Sequence, residues 1–150
     1  MITLERILVP TDFSECAEQA RSYAAELAKR FASEVHLLHV VAPLALPGYV
    51  GPIPEDLLHP EEGARKELEA WDEPALKEAK QVIRAVSMGT PFVEVIRYAR
   101  DRNVDLIVMG THGRSGIAHA LIGSVTERVV RKSPCPVLTV RPEAHQFVMP

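Results

Sequence analysis

The chain has 150 residues, of which 47% are hydrophobic and 25% charged, and its formal net charge is −3. Those values fit one globular domain with a real core. They exclude nucleic acid as the main partner, because 17 basic and 20 acidic residues dispersed along the chain make no concentrated basic face. The opening Met1-Ile2-Thr3-Leu4-Glu5-Arg6 lacks the basic and apolar regions of a signal peptide, and no uninterrupted apolar run reaches transmembrane length. Cys16 and Cys135 stand far apart without metal-type spacing, so reduced thiols in the cytoplasm are expected.

In chain order, Arg6-Ile7-Leu8-Val9-Pro10 predicts a short buried strand. Asp12 and Ser14 both offer N-caps to a helix whose apolar stripe is Ala17, Ala20, Ala24, Leu27, Ala28 and Phe31. Glu34 to Val41 predicts a second strand. From Pro43 to Pro60 five prolines and two glycines predict a long loop. A helical pattern follows from Glu61 to Ala79, with Ala64, Leu68 and Trp71 on one side and an interruption expected at Pro74. Gln81 to Ser87 predicts a third strand, and Pro91 suits the first position of a helix that buries Val95, Ile96 and Ala99. Asp105 to Met109 predicts the fourth strand, Ser124 to Lys132 a helix, and Pro136 to Val140 the last strand. Regular alternation of strand and helix means parallel βαβ units, hence a doubly wound α/β sheet with helices on both faces.

Four of the eight glycines lie between positions 110 and 123, in Gly110-Thr111-His112-Gly113-Arg114-Ser115-Gly116 and the later Gly123-Ser124. A buried strand, a glycine-rich turn and a helix start are the parts of a phosphate cradle, since backbone N–H groups there meet an anion at the positive end of a helix. In a doubly wound sheet this segment should face Pro10-Thr11-Asp12 across the point where strand order reverses. Two readings of Asp12 stay open: an N-cap, or an acceptor for a ribose hydroxyl or adenine amino group. Ser124 and Glu127 fit a capping box, yet the same turn offers the N–H groups of Ser124, Val125 and Thr126 to an anion. Arg114 is the one cation of the segment. His112 suits a phosphate contact or merely fills the turn, whereas His36, His39, His59, His119 and His145 show no metal-ligand spacing. The spacing matches neither the lysine-bearing phosphate loop, nor the dinucleotide fingerprint, nor the nucleophile elbow. Binding is better supported than turnover.

With these residues in view, the chain resembles the universal stress protein family along nearly its whole length. The resemblance is carried by Ile7-Leu8-Val9-Pro10-Thr11-Asp12, by Asp105 through Gly116, by Gly123-Ser124-Val125 and by Ser133 through Arg141. Gly110, Gly113, Gly123 and Ser124 satisfy G-x2-G-x9-G-[ST], the mark of the family's ATP-binding branch. The resemblance implies a five-stranded parallel sheet of order 3-2-1-4-5 holding ATP at the switch point. It places Pro10, Thr11 and Asp12 along the adenosine, Val40 against adenine, and Met109 and Gly110 beside the ribose. His112, Gly113, Arg114, Gly123, Ser124, Val125 and Thr126 would surround the phosphates, with Mg²⁺ or Mn²⁺ alongside. It also implies a homodimer through the last strand, Pro136 to Arg141, although flanking prolines equally suit an edge kept from pairing. The segment from Pro43 to Ala79 departs most from the shared pattern. A nucleotide-dependent regulator of the stress response is the leading expectation. The alternatives are a slow ATP hydrolase or phosphoryl or nucleotidyl transferase on the same site, and a ligand-free dimeric interaction module.

Overall fold

The computed structural model describes residues 1–113 and 122–141. Strands β1 (Arg6–Thr11), β2 (Glu34–Val41), β3 (Gln81–Met88), β4 (Leu106–Gly110) and β5 (Val137–Val140) form one sheet, ordered β3-β2-β1-β4-β5. Every neighbouring pair is parallel, as the alternation of elements requires. Helices α1 (Glu15–Phe31) and α3 (Pro60–Ala70) and a 3₁₀ turn (Pro74–Glu78) cover one face. Helices α4 (Pro91–Asp101) and α5 (Ser124–Lys132) cover the other.

The central strands show why both layers are needed. Ile7 and Val9 pack toward α1 with Val35, Leu37 and Val108, whereas Leu8 packs toward α4 and α5 with Leu38, Ile107 and Met109. Ile7, Leu8 and Val9 are all fully buried, so the strand reads as a continuous apolar run rather than an alternating one. Helix α1 meets the sheet through Ala17, Ala20, Ala24, Ala25 and Ala28, small side chains that let it lie close. Ser14 caps it, its Oγ accepting the Ala17 N–H at 3.3 Å. Phe31, the last residue of the expected stripe, stays 45% exposed where the chain turns left-handed at Ala32 to re-enter the sheet.

The proline-rich stretch after β2 contains the four-residue helix α2 (Glu55–Leu58), and α3 begins at Pro60. Pro74 does break the helical pattern, and the chain continues as the 3₁₀ turn. Ala64, Leu68 and Trp71 are buried as their spacing predicted. Among the described residues no helix is long and apolar enough to cross a membrane.

One polar pair sits inside the α4 layer. His36 of β2 is only 2% exposed, and its Nδ1 lies 2.8 Å from the Tyr98 hydroxyl of α4. Its Nε2 is 3.7 Å from a Glu34 carboxylate oxygen and makes no hydrogen bond among the described residues. Burial pushes the His36 imidazole below its ordinary value, outweighing the attraction of Glu34, with the Arg102 and Arg6 charges also lowering it. Burial likewise raises the Tyr98 phenol, so both groups are held neutral. An imidazole depressed in the folded state is protonated first in the unfolded chain. Its contribution to stability is therefore complete above the ordinary value of 6.5 and is lost as pH falls through the lower folded value. Urea midpoints measured from pH 7.5 down to about 5 should decline. A His36→Asn variant, less stable throughout, should show a shallower decline.

Candidate functional site

β1 and β4 are neighbours but pair only at Ile7 with Leu106 and Leu8 with Ile107, whereas β1 follows β2 all the way to Thr11. The two central strands thus part at their carboxyl ends, and Pro10 has no N–H to hold them together there. A cavity of about 560 Å³ opens at the parting, within the roughly 300–1,000 Å³ of small-molecule sites. Pro10, Thr11 and Asp12 wall it from β1, and Val40 from β2. Met109, Gly110, His112 and Gly113 wall it from β4, and Gly123, Ser124, Val125 and Thr126 from the start of α5. Residues read from four separate stretches of sequence therefore meet around one space. Arg114, with His119 and His145, lies outside the described residues.

The turn after β1 is a chain of local hydrogen bonds. Thr11 Oγ1 accepts the Phe13 N–H at 2.8 Å and Asp12 Oδ1 accepts the Ser14 N–H at 3.0 Å. Ser14, not Asp12, is the N-cap of α1, which leaves the Asp12 carboxylate in the cavity wall. Phe13 has φ 63, a left-handed conformation costing of order 1–3 kcal/mol in a residue other than glycine.

Each described glycine of the segment permits a close approach. A Cβ at Gly110 would lie 2.6 Å from Cys16 Sγ, so β4 ends directly against the first turn of α1. A Cβ at Gly113 would lie 2.5 Å from Asp12 Oδ2, bringing the loop after β4 onto the carboxylate. A Cβ at Gly123 would lie 3.1 Å from the Thr111 carbonyl, which accepts the Gly123 N–H at 2.5 Å and ties the two ends of the loop together.

That tie decides how α5 begins. Gly123 is the N-cap and Ser124 the first helical residue, with no side-chain cap. The capping box between Ser124 and Glu127 is absent, because the box needs serine at the cap position and the helix starts one residue too early. Glu127 instead pairs with Arg131 one turn on, at 2.9 Å. Its N–H is taken by the Gly123 carbonyl at 3.0 Å. The N–H groups of Ser124, Val125 and Thr126 belong to the first turn, where helical geometry supplies no partner. The Thr126 hydroxyl donates to the Gly110 carbonyl at 2.7 Å and braces α5 against β4.

Sequence reasoning missed several lining residues: Ala17, Leu38, His39, Pro91, Val95, Ile122 and Glu127. Leu38, Pro91 and Val95 bring the α4 layer to the cavity and make one wall apolar. Their signal in the sequence was ordinary core periodicity, which does not tell a lining residue from a buried one. Among the described lining residues, the carboxylates are Asp12 and Glu127. Among the described residues no three His, Cys, Asp or Glu side chains gather as a metal site.

The family model of the universal stress protein family matches residues 3–141. The chain belongs to the universal stress protein family. Universal stress protein MJ0577 of Methanocaldococcus jannaschii is 32% identical over 163 residues, covering 93% of this chain and 96% of that one. The solved structure of MJ0577 superposes on this family member with TM-score 0.78, covering 96% of this chain and 100% of that one, at 31% identity. Universal stress protein YxiE of Bacillus subtilis is 34% identical over 147 residues, covering 91% and 98% of the two chains. An Archaeoglobus fulgidus universal stress protein, solved in complex with dAMP, shares the fold at TM-score 0.64 and 23% identity, over 93% and 99% of the chains.

The contact between Gly110 and Cys16 gives a direct check on the site's frame. Gly110→Ala should destabilise the protein by about 1–3 kcal/mol through overpacking, read as a lower urea midpoint. Removing the sulfur in a Cys16→Ala background should restore part of that loss, since the Cys16 backbone would remain 3.0 Å from the new methyl.

Proposed function

We propose that this protein binds ATP in the cavity and that its nucleotide state regulates its part in a cytoplasmic stress response. The observation that carries the reading is the meeting of the β1 end, the β4 glycine segment and the uncapped start of α5 around one opening. The apolar wall of Leu38, Val40, Pro91, Val95 and Met109 suits a purine. Asp12 suits a sugar hydroxyl, and the first turn of α5 suits an anion. Pro10, Thr11 and Asp12 are assigned to the adenosine, the Val40 backbone to adenine, and Met109 and Gly110 to the ribose. His112, Gly113, Arg114, Gly123, Ser124, Val125 and Thr126 are assigned to the phosphates.

A divalent cation, Mg²⁺ or Mn²⁺, would accompany the phosphates and neutralise charge there. The dAMP complex of the Archaeoglobus relative supports an adenine nucleotide only through the shared fold. Binding is favoured over turnover because Glu127 is engaged by Arg131 and the remaining described carboxylate of the wall, Asp12, is held by Ser14. The edge position of β5, with Leu138 38% exposed, supports a homodimer joined through the last strand.

Two experiments test the reading. Protein purified and then denatured should release ATP identifiable by mass, and calorimetry with ATP and Mg²⁺ should show saturable binding. No nucleotide and no heat would end the proposal. Arg114→Ala should weaken ATP about tenfold, the scale of one charge-assisted hydrogen bond, and leave AMP affinity unchanged. Equal losses for ATP and AMP would remove Arg114 from the phosphates.

A further inference from the structure

We propose that Phe13 is a positioning residue of the nucleotide site. Its ring, held between His39 and Trp71, keeps residue 13 left-handed and so sets the Asp12 carboxylate in the cavity wall. The inference rests on the nucleotide reading above and adds to it a residue outside the cavity lining.

The geometry starts from the backbone. At φ 63 a phenylalanine is disfavoured by contact between its Cβ and the following carbonyl, so the packing of its ring has to work with the Thr11 hydroxyl on its N–H to hold it. The ring lies 4.6 Å from the His39 ring at a tilt of 36°, and 5.9 Å from Trp71 in an edge-on arrangement. His39 is itself anchored, because its Nδ1–H donates to the Thr11 carbonyl at 2.7 Å. With residue 13 so turned, the Ser14 N–H folds back onto Asp12 Oδ1. Asp12 Oδ2 is left against the bare backbone of Gly113, in space that a Cβ there would enter. Both carboxylate oxygens are therefore placed by a turn whose conformation depends on the Phe13 ring.

The far side of that ring reaches the end of α3. Trp71 is 7% exposed, its indole N–H has no hydrogen-bond partner among the described residues, and the Arg21 guanidinium lies 4.3 Å from its ring centroid. Ring contacts with Phe13 and Arg21 hold the indole, so movement of Phe13 changes its surroundings. Trp71 is the single tryptophan of the chain and reports that movement by fluorescence.

Glycine adopts φ near +60° without strain, so Phe13→Gly removes the ring while leaving the turn available. Phe13→Tyr keeps the ring and is the conservative control. In the absence of nucleotide, Phe13→Gly should keep the wild-type circular dichroism while the Ser14 amide exchanges faster. With Mg²⁺ present its ATP affinity by calorimetry should drop about tenfold, the scale of one misplaced charged acceptor. Its Trp71 emission should differ from that of wild type, and Phe13→Tyr should match wild type in all four measurements. If wild type binds ATP and folded Phe13→Gly binds it as tightly, the positioning role is refuted while the nucleotide reading stands. If Phe13→Gly does not fold, a Phe13→Tyr protein with lost ATP affinity but intact fold refutes the role, and one that binds as wild type supports it. If wild type binds no ATP, both fall together.

Discussion

The parting of β1 and β4 above Leu8 and Ile107 is the constraint on which the rest of the site depends. In a doubly wound sheet the connections leave β1 and β4 toward opposite faces, so a crevice is left between their carboxyl ends. Here β1 stays with β2 through Thr11 while β4 turns with β5 through Val140. Apart from Pro91 and Val95, which α4 brings in after β3, what borders the cavity is hung from one of those two pairs. The β1–α1 turn comes from the first pair, and the loop after β4 and the start of α5 from the second.

Holding such a crevice open while the layers stay packed requires small atoms where the two halves meet. Gly110 lets β4 end against Cys16, and Gly113 lets the following loop approach Asp12. Cys16 Sγ donates to the Val140 carbonyl at 3.2 Å, so the first turn of α1 is also tied to β5. The Thr126 hydroxyl on the Gly110 carbonyl completes the frame. These contacts position backbone more than side chains. That suits a site whose donors are N–H groups at a helix start, because those donors are only as well placed as the helix that carries them.

Most of the fold was legible because strands buried on both faces and helices with small-residue stripes leave strong periodic signals. The runs Ile7 to Val9 and Ile107 to Met109, and the alanines of α1, are of this kind. Much of the candidate site was legible for a different reason. Pro10, Asp12, Gly110, Gly113 and Gly123 are residue types whose chemistry is unusual where they stand. Leu38, Pro91 and Val95 carry no such mark, since an apolar residue lining a cavity looks in sequence like one filling a core. The bounds of α5 came out as expected, Ser124 to Lys132, but of the two readings of its first turn the capping box is the one not seen. Ser124-Val125-Thr126-Glu127 has the composition of a capping box, but Gly123, bonded to the Thr111 carbonyl, takes the cap position and leaves Ser124 inside the helix.

The sequence by itself determined the strand and helix order, the doubly wound class and the glycine positions, because these follow from local period and from steric limits on each residue. Tertiary structure alone decided which of two caps α1 uses, that α5 begins uncapped, and that Phe13 stands left-handed between His39 and Trp71. Those outcomes depend on groups distant in the chain. The Thr111 carbonyl acts across a loop on Gly123, and a tryptophan 58 positions away bears on Phe13. No local pattern encodes such contacts, because their energies exist only once the sheet has brought the segments together.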